Sequence, residues 1–178
     1  MIVFIDFEAS SLSDNSYPIE VGWVWEDGRE EDHLIKPAPH WIDWDTRAEA
    51  IHGITRAELE RCGEAHDGVA HRMLDTLSGH DLRASAPSWD GKWLSALLRA
   101  AGLPRHALRL KDSDDLFAAT VETQLSGGYA AGELAAQVAA VLHASEEAAP
   151  PVHRALADAR AEQQRWLRIK AALRALSR

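Results

Sequence analysis

The sequence predicts an α/β fold: a mixed five-stranded sheet with an antiparallel hairpin at one edge and helices on both faces. Three observations predict it. The chain opens on an apolar strand, a hairpin with an Asp-Gly turn follows, and helical periodicity then alternates with two short strands. The chain has 178 residues, 46% of them hydrophobic. That is enough to bury a sizeable core, and residues 1–178 read as a single domain.

Each element has its own signal. Ile2–Phe7 carries apolar residues on both faces, the pattern of a central strand covered on each side. Residues 17–28 and 29–37 read as two strands joined around Asp27-Gly28. Residues 38–55 form an irregular connector with short helical pieces. Thr55 is a helix cap, and Glu58 three residues later completes a capping box. A helix is expected over about 67–78, a strand over 81–87 and a helix over 88–102, which Gly102 and Pro104 stop. A short strand follows over 107–113, then helices over about 114–125 and 130–144. Residues 145–151 form a loop. A last helix spans 154–176, with an apolar stripe of Leu156, Ala159, Trp166, Ile169, Leu173 and Leu176.

Composition excludes several classes. No apolar run approaches the ~20 residues that cross a bilayer, so no membrane association is expected. Asp6 and Glu8 arrive too early for the basic start of a signal peptide, and a cytoplasmic protein is the expectation. The single cysteine, Cys62, excludes an internal disulfide framework and a cysteine-rich zinc site. The net charge of −9 argues against gripping nucleic acid by bulk electrostatics. It leaves room for phosphates met through metal ions: four site carboxylates supply −4 of the −9, and two divalent cations cancel that −4.

The chemistry-bearing residues are acidic. Asp6 and Glu8 lie on one face of the first strand, because side chains alternate with period two. They repel each other unless a divalent cation sits between them; the alternative is a strand end entering solvent. Asp90 starts a helix, where it either ligates or favours the helix dipole. Asp158 lies in the first turns of the last helix, where a solvated face is the alternative. His153 precedes it by five residues, and the two side chains converge only if His153 lies on the loop before that helix. Pro150-Pro151 place it there.

Together these residues resemble the DEDDh group of 3′→5′ exonucleases, in the RNase H-like superfamily that includes the proofreading subunit of bacterial DNA polymerase III, RNase T and oligoribonuclease. The first motif, D-x-E with a small or hydroxyl pair and Leu, is DFEASSL, residues 6–12. The second, an Asp behind an aromatic, is WDGKWL, with Trp89-Asp90. The third, H-x-x-x-x-D-A, is HRALADA, with His153, Asp158 and Ala159. An HGIT segment lies between the first two, at residues 52–55. The motifs stand in family order across nearly the whole chain. Two positions depart: Ser10-Ser11 stand where the family often has Thr-Gly, and Ser85-Ala86 stand where it commonly has His-Asn.

The resemblance implies an RNase H-like sheet and a 3′→5′ exonuclease that acts on the 3′ end of single-stranded DNA or RNA and releases nucleoside 5′-monophosphates. It implies that Asp6, Glu8, Asp90 and Asp158 hold two ions; oxygen-only ligands point to Mg²⁺ or Mn²⁺. His153 is implied as general base. Ser10, Ser11, Leu12, His52 and Ile54 are implied to border the terminal nucleotide, with core packing as the alternative for Leu12 and Ile54. Trp41, Trp44, Trp89 and Trp93 either stack on bases or anchor connectors and helices to the core. Arg154, Arg160, Arg165 and Arg168 either touch phosphates or pair with nearby carboxylates. The resemblance also admits a homodimer. A second function class is a non-catalytic nucleic-acid-binding or interaction module that keeps the fold. A third is a structural protein whose acidic residues are only surface.

Overall fold

The structure is a computed structural model and describes residues 1–129, 131–146, 150 and 152–176. In chain order the strands and helices are β1 Ile2–Ala9, β2 Pro18–Trp25, β3 Glu30–Lys36, α1 Thr46–His52, α2 Arg56–Cys62, β4 Glu64–Ala65 and α3 His66–Leu77. There follow β5 Asp81–Ala84, α4 Pro87–Ala100, β6 Leu110–Asp112, α5 Ser113–Leu125, α6 Ala131–Ser145 and α7 Ala155–Leu176. The expected elements are all present. Of the expected loop over 145–151, residues 147–149 and 151 lie outside the described residues, as does residue 130 at the expected start of α6.

The sheet order is β4-β3-β2-β1-β5-β6. Pairs β1–β2 and β2–β3 are antiparallel, and the other three are parallel. The sheet is therefore mixed, as expected, but it has six strands rather than five. The added strand β4 pairs with Ile35 and Lys36 alone, at the end of β3, and the rest of the hairpin forms that edge of the sheet as expected. Two exposed residues have no periodicity to read, and only the docking of α2 and α3 against β3 brings them into register. The hairpin turn is where Asp27-Gly28 placed it, with Gly28 at φ 91, a conformation that favours glycine. Thr55 Oγ1 accepts from the Glu58 N–H at 3.1 Å and caps α2.

Strand alternation sends β1 to two cores. Val3, Ile5 and Phe7 pack with α3 and α4 on one face. Phe4 packs with Phe117, Trp166, Ile169 and Leu173 of α5 and α7 on the other. Every residue of β2 is buried, as expected of a strand covered on both sides. The α7 stripe is buried at Ala159, Trp166, Ile169 and Leu173, while Leu176 at its end is exposed.

One contact fixes where α7 begins. Gly22 of β2 faces it so closely that a Cβ there would lie 2.3 Å from Leu156 N and 2.7 Å from Ala155 C. Only glycine lets the backbone of the first turn of α7 rest on the sheet. Gly22 is also the cross-strand partner of Asp6. The start of α7 is thereby set down beside the end of β1.

Candidate active site

The pairing of β1 with β5 ends at Phe4–Arg83. Beyond it β1 runs on to Ala9 while the chain leaves β5 into α4. The crevice where parallel strands end and the chain crosses to a helix is the usual ligand position in α/β sheets. Asp6 and Glu8 project there on the Phe4 face. A cavity of about 870 Å³ opens at this point, lined by Asp6, Glu8, His153, Asp158 and Glu162 among others.

Asp90 comes from α4 to the neighbourhood of Asp6, buried behind the cavity lining rather than in it. It sits in the first turn but does not cap it: the N-cap is Ala86, with no side-chain cap bond. It is only 2% exposed, and its Oδ2 is buried with no hydrogen-bond partner among the described residues. Burial pushes its carboxyl up to about 7, although backbone hydrogen bonds at Ala86 and Phe7 pull the other way. From an ordinary 3.8, that rise corresponds to ~4 kcal/mol. A helix N-terminus stabilises a carboxylate by at most ~2 kcal/mol, so desolvation wins.

The other carboxylates are perturbed for related reasons. Burial raises Asp6 well above its ordinary range, and Asp90, Glu8, Asp158 and Glu162 raise it further. Glu8 is pushed up to about 8, by burial first and then by Asp158 and Glu20; Arg154 opposes this. Glu8 and Glu20 stand directly opposite in the β1–β2 register, where like charges destabilise a sheet. Arg154 answers that repulsion. Its guanidinium takes both oxygens of the buried Glu20, with Nη2 2.6 Å from Oε1, and the Ala155 N–H donates to Glu20 Oε2 at 2.9 Å.

Arg154 is also the residue after His153, so the Glu20 clamp anchors the loop that carries the imidazole. His153 precedes α7, as the Pro150-Pro151 spacing predicted; Pro151 itself lies outside the described residues. His153 adopts φ 57, left-handed for a non-glycine residue. The N–H groups of Val152 and His153 donate to Asp158 Oδ1 and Oδ2, each at 3.0 Å. Asp158 is thus no solvated helix face: it closes the turn that presents the histidine. Ligand atoms of Glu8, His153 and Asp158 all lie within 4.8 Å of one another.

The residues expected beside a terminal nucleotide divide. Ser11, Leu12 and His52 line the cavity, and Leu12 is 71% exposed rather than packed in the core. Ser10 and Ile54 do not line it. Ser10 is fully buried, donating to Asp43 Oδ2 and accepting from the Tyr17 N–H. Ile54 is 2% exposed and belongs to the core around α2. His52 accepts the Ile54 N–H at Nδ1, which leaves Nε2 as a buried N–H with no partner among the described residues. Burial also lowers the His52 pKa, keeping the ring neutral.

Of the four tryptophans, Trp41 is buried against Tyr17 at 5.1 Å, Trp44 bonds Glu49 and Trp93 bonds Ser16. These three serve as anchors. Trp89 remains exposed, 5.7 Å from the cavity-lining Trp93, with Lys92 Nζ 5.0 Å from its ring centre. Arg154, Arg160 and Arg165 pair with Glu20, Glu30 and Asp114. Arg168 donates to the Ser145 carbonyl.

The sequence reading missed Gly22, Glu20, Asp43 and Glu162. Glu162 had a signal: it is four residues after Asp158, on the same face of α7. It lines the cavity, accepts from Ser113 Oγ at 2.6 Å, and is raised mainly by burial.

No family model matches the chain, and no curated protein matches its sequence. Solved structures do. E. coli exonuclease I in a zinc-bound complex with single-stranded DNA aligns with a TM-score of 0.66 and 17% identity, covering 96% of this chain and 40% of that one. The same enzyme with a dA16 oligonucleotide gives 0.66 and 16%, with the same coverage of both chains. A moderately thermophilic exonuclease I from Methylocaldum szegediense gives 0.66 and 17%, again over 96% and 40%. The fold is shared with exonuclease I. This chain spans about 40% of the length of those proteins. Among the described residues, no helix is long and apolar enough to cross a membrane.

Proposed function

We propose that residues 1–178 form an exonuclease domain that acts in the cytoplasm. It hydrolyses the terminal phosphodiester of single-stranded DNA or RNA from the 3′ end and releases nucleoside 5′-monophosphates. The observation that carries this reading is the buried Oδ2 of Asp90, unpartnered among the described residues, beside Asp6 and Glu8, whose pKa values are raised by burial first and then by neighbouring carboxylates. A non-catalytic module or a structural protein has no use for such a cluster; hard divalent cations do.

Asp6, Glu8, Asp90 and Asp158 are the residues that would hold Mg²⁺ or Mn²⁺, and their all-oxygen donor set fits either. When bound, two such ions supply activation of water and neutralisation of phosphate charge. The protein supplies the rest. His153, held by the Glu20–Arg154 clamp and by Asp158, accepts the proton of the attacking water on its ring nitrogen. The His52 Nε2–H, already stripped of water, is a donor for the terminal nucleotide. Leu12 offers an apolar surface for its base, which tolerates any sequence. Ser85, at the position where the resemblance has His-Asn, lines the cavity with a smaller polar group.

Calorimetric titration with Mn²⁺ tests the reading. Two stoichiometric sites are expected in the wild type, with loss of binding in Asp6→Ala. Absence of Mn²⁺ binding in the wild type refutes it.

A further inference from the structure

We infer a second binding site, for the internal phosphates of a single strand, in a basic groove along the outer face of α4. The groove measures about 420 Å³. Gly91 and Lys92, in the first turns of α4, border it together with Arg99 in the last turn and Arg105, His106 and Arg109 from the segment before β6. Among the described residues, no carboxylate lines it.

That absence is unusual in this molecule. Among the described residues, eight arginines, including Arg83, Arg154 and Arg165, pair with a carboxylate. Arg99, Arg105 and Arg109 are all exposed, and none has a carboxylate partner among the described residues. On a chain of net charge −9, three unpaired guanidinium groups around one groove form a local positive field. His106 registers that field: desolvation and then the charges of Arg105 and Arg109 lower its pKa. Arg105 Nε donates to His106 Nε2 at 2.7 Å, which leaves the neutral ring an N–H at Nδ1. The groove therefore presents guanidinium forks and a ring N–H to an anion, the donor set suited to phosphate oxygens.

Its position says which anion. Gly91, Ser95 and Arg99 share one helical face, turned roughly 100–180° around α4 from the buried Asp90. Asp90 and Arg99 are separated by roughly 13 Å of helix. Exposed Trp89 lies 5.7 Å from Trp93, which lines the cavity, and carries over its ring the ammonium of Lys92, which borders the groove. An aromatic plane between cations suits a strand, whose bases stack while its phosphates pair. An acidic peptide would use the arginines but not the ring. Resting on the proposed nuclease reading, the inference is that a strand with its 3′ end in the cavity continues past Trp89 into this groove.

The test is fluorescence anisotropy of labelled strands in EDTA, where nothing is cut, with wild type, the triple variant Arg99→Glu/Arg105→Glu/Arg109→Glu, and Arg105→Ala alone. These exposed side chains make only local hydrogen bonds, Arg99 to the Ser95 carbonyl and Arg105 to His106, and the single substitution keeps the test decisive should the triple fold poorly. Affinity for a strand of about 16 nucleotides is expected to fall at least ~10-fold in the triple variant, with the salt slope reduced by about 2, or ~0.7 per lost contact. Arg105→Ala should lose about one such contact. The loss should be confined to strands long enough to reach the groove. Unchanged long-strand affinity and salt slope in both variants overturns the site. An equal loss for dinucleotides does the same. Equal displacement of the strand by an oligo-glutamate peptide of matched charge overturns the nucleic-acid assignment. Strand shortening in Mg²⁺ is scored separately: a wild type that cuts nothing but shows the expected binding loss ends the nuclease reading and leaves the groove intact.

Discussion

Asp90→Asn should stabilise the metal-free protein at neutral and alkaline pH. The folded pKa of Asp90 is raised to about 7 from an ordinary 3.8. Between those values the unfolded chain has lost the proton that the fold still needs. Stability is therefore greatest below 3.8, falls as pH rises toward 7, and levels off above it. From pH 5 to pH 8 the single-site linkage amounts to about 2–3 kcal/mol. For a chain of this size that is a fall of roughly 5–10 °C in Tm. Asparagine keeps the shape and has no proton to lose, so this part of the fall disappears. The assay is thermal melting in EDTA across that pH range for both proteins. Glu8, raised to about 8, leaves a residual slope in both. Saturating Mg²⁺ should reverse the wild-type trend, since the ionised carboxylates are the form that binds. Parallel pH profiles for wild type and Asp90→Asn in EDTA would refute the claim that Asp90 is buried and destabilised by ionising.

Three other substitutions separate roles within the site. Asp158→Ala should abolish nuclease activity and, unlike Asp6→Ala or Glu8→Ala, also lower Tm in EDTA, because two N–H groups lose their acceptor at a cost of ~1 kcal/mol; a raised Tm contradicts this. His153→Ala should slow the chemical step by ~10²–10⁴ with Mn²⁺ affinity retained and activity partly restored at high pH; loss of Mn²⁺ binding would make His153 a ligand instead. Gly22→Ala should destabilise by about 1–3 kcal/mol and depress kcat, since the added Cβ displaces the start of α7; wild-type melting and turnover would show that α7 yields without consequence.

What the sequence made legible was local. The apolar run ending in Asp6 and Glu8, the Asp27-Gly28 turn, the Thr55 cap and the placement of His153 before its helix each follow from spacing over a few residues. The resemblance then joined Asp90 and Asp158 to that strand. What stayed hidden depends on contacts between distant segments. Strand β4 exists only because α2 and α3 bring two residues to β3. Gly22 reads as any strand glycine until α7 is laid on it. Glu20 belongs to no motif, and its burial depends on Arg154, 134 residues away, which pairs with it. Ser10 and Ile54 match a motif by position, but Asp43 draws the serine hydroxyl inward and the core takes the isoleucine. The groove beside α4 was invisible because its arginines come from a helix end and a loop with no motif between them.

The central claim is that the carboxylate cluster cuts from the 3′ end. A 5′-labelled single strand ending in 3′-OH, its 3′-phosphate counterpart and a circular strand are incubated with the protein in Mg²⁺ and in EDTA, and the products are resolved on a gel. A terminal 3′-phosphate brings close to two further negative charges beside Glu8 and its neighbours. The account predicts a ladder that shortens from the 3′ side for the 3′-OH strand in Mg²⁺, nearly none for the 3′-phosphate, and none in EDTA. Equal cutting of both linear strands, release of fragments from the circle, or no cutting of any strand would contradict it.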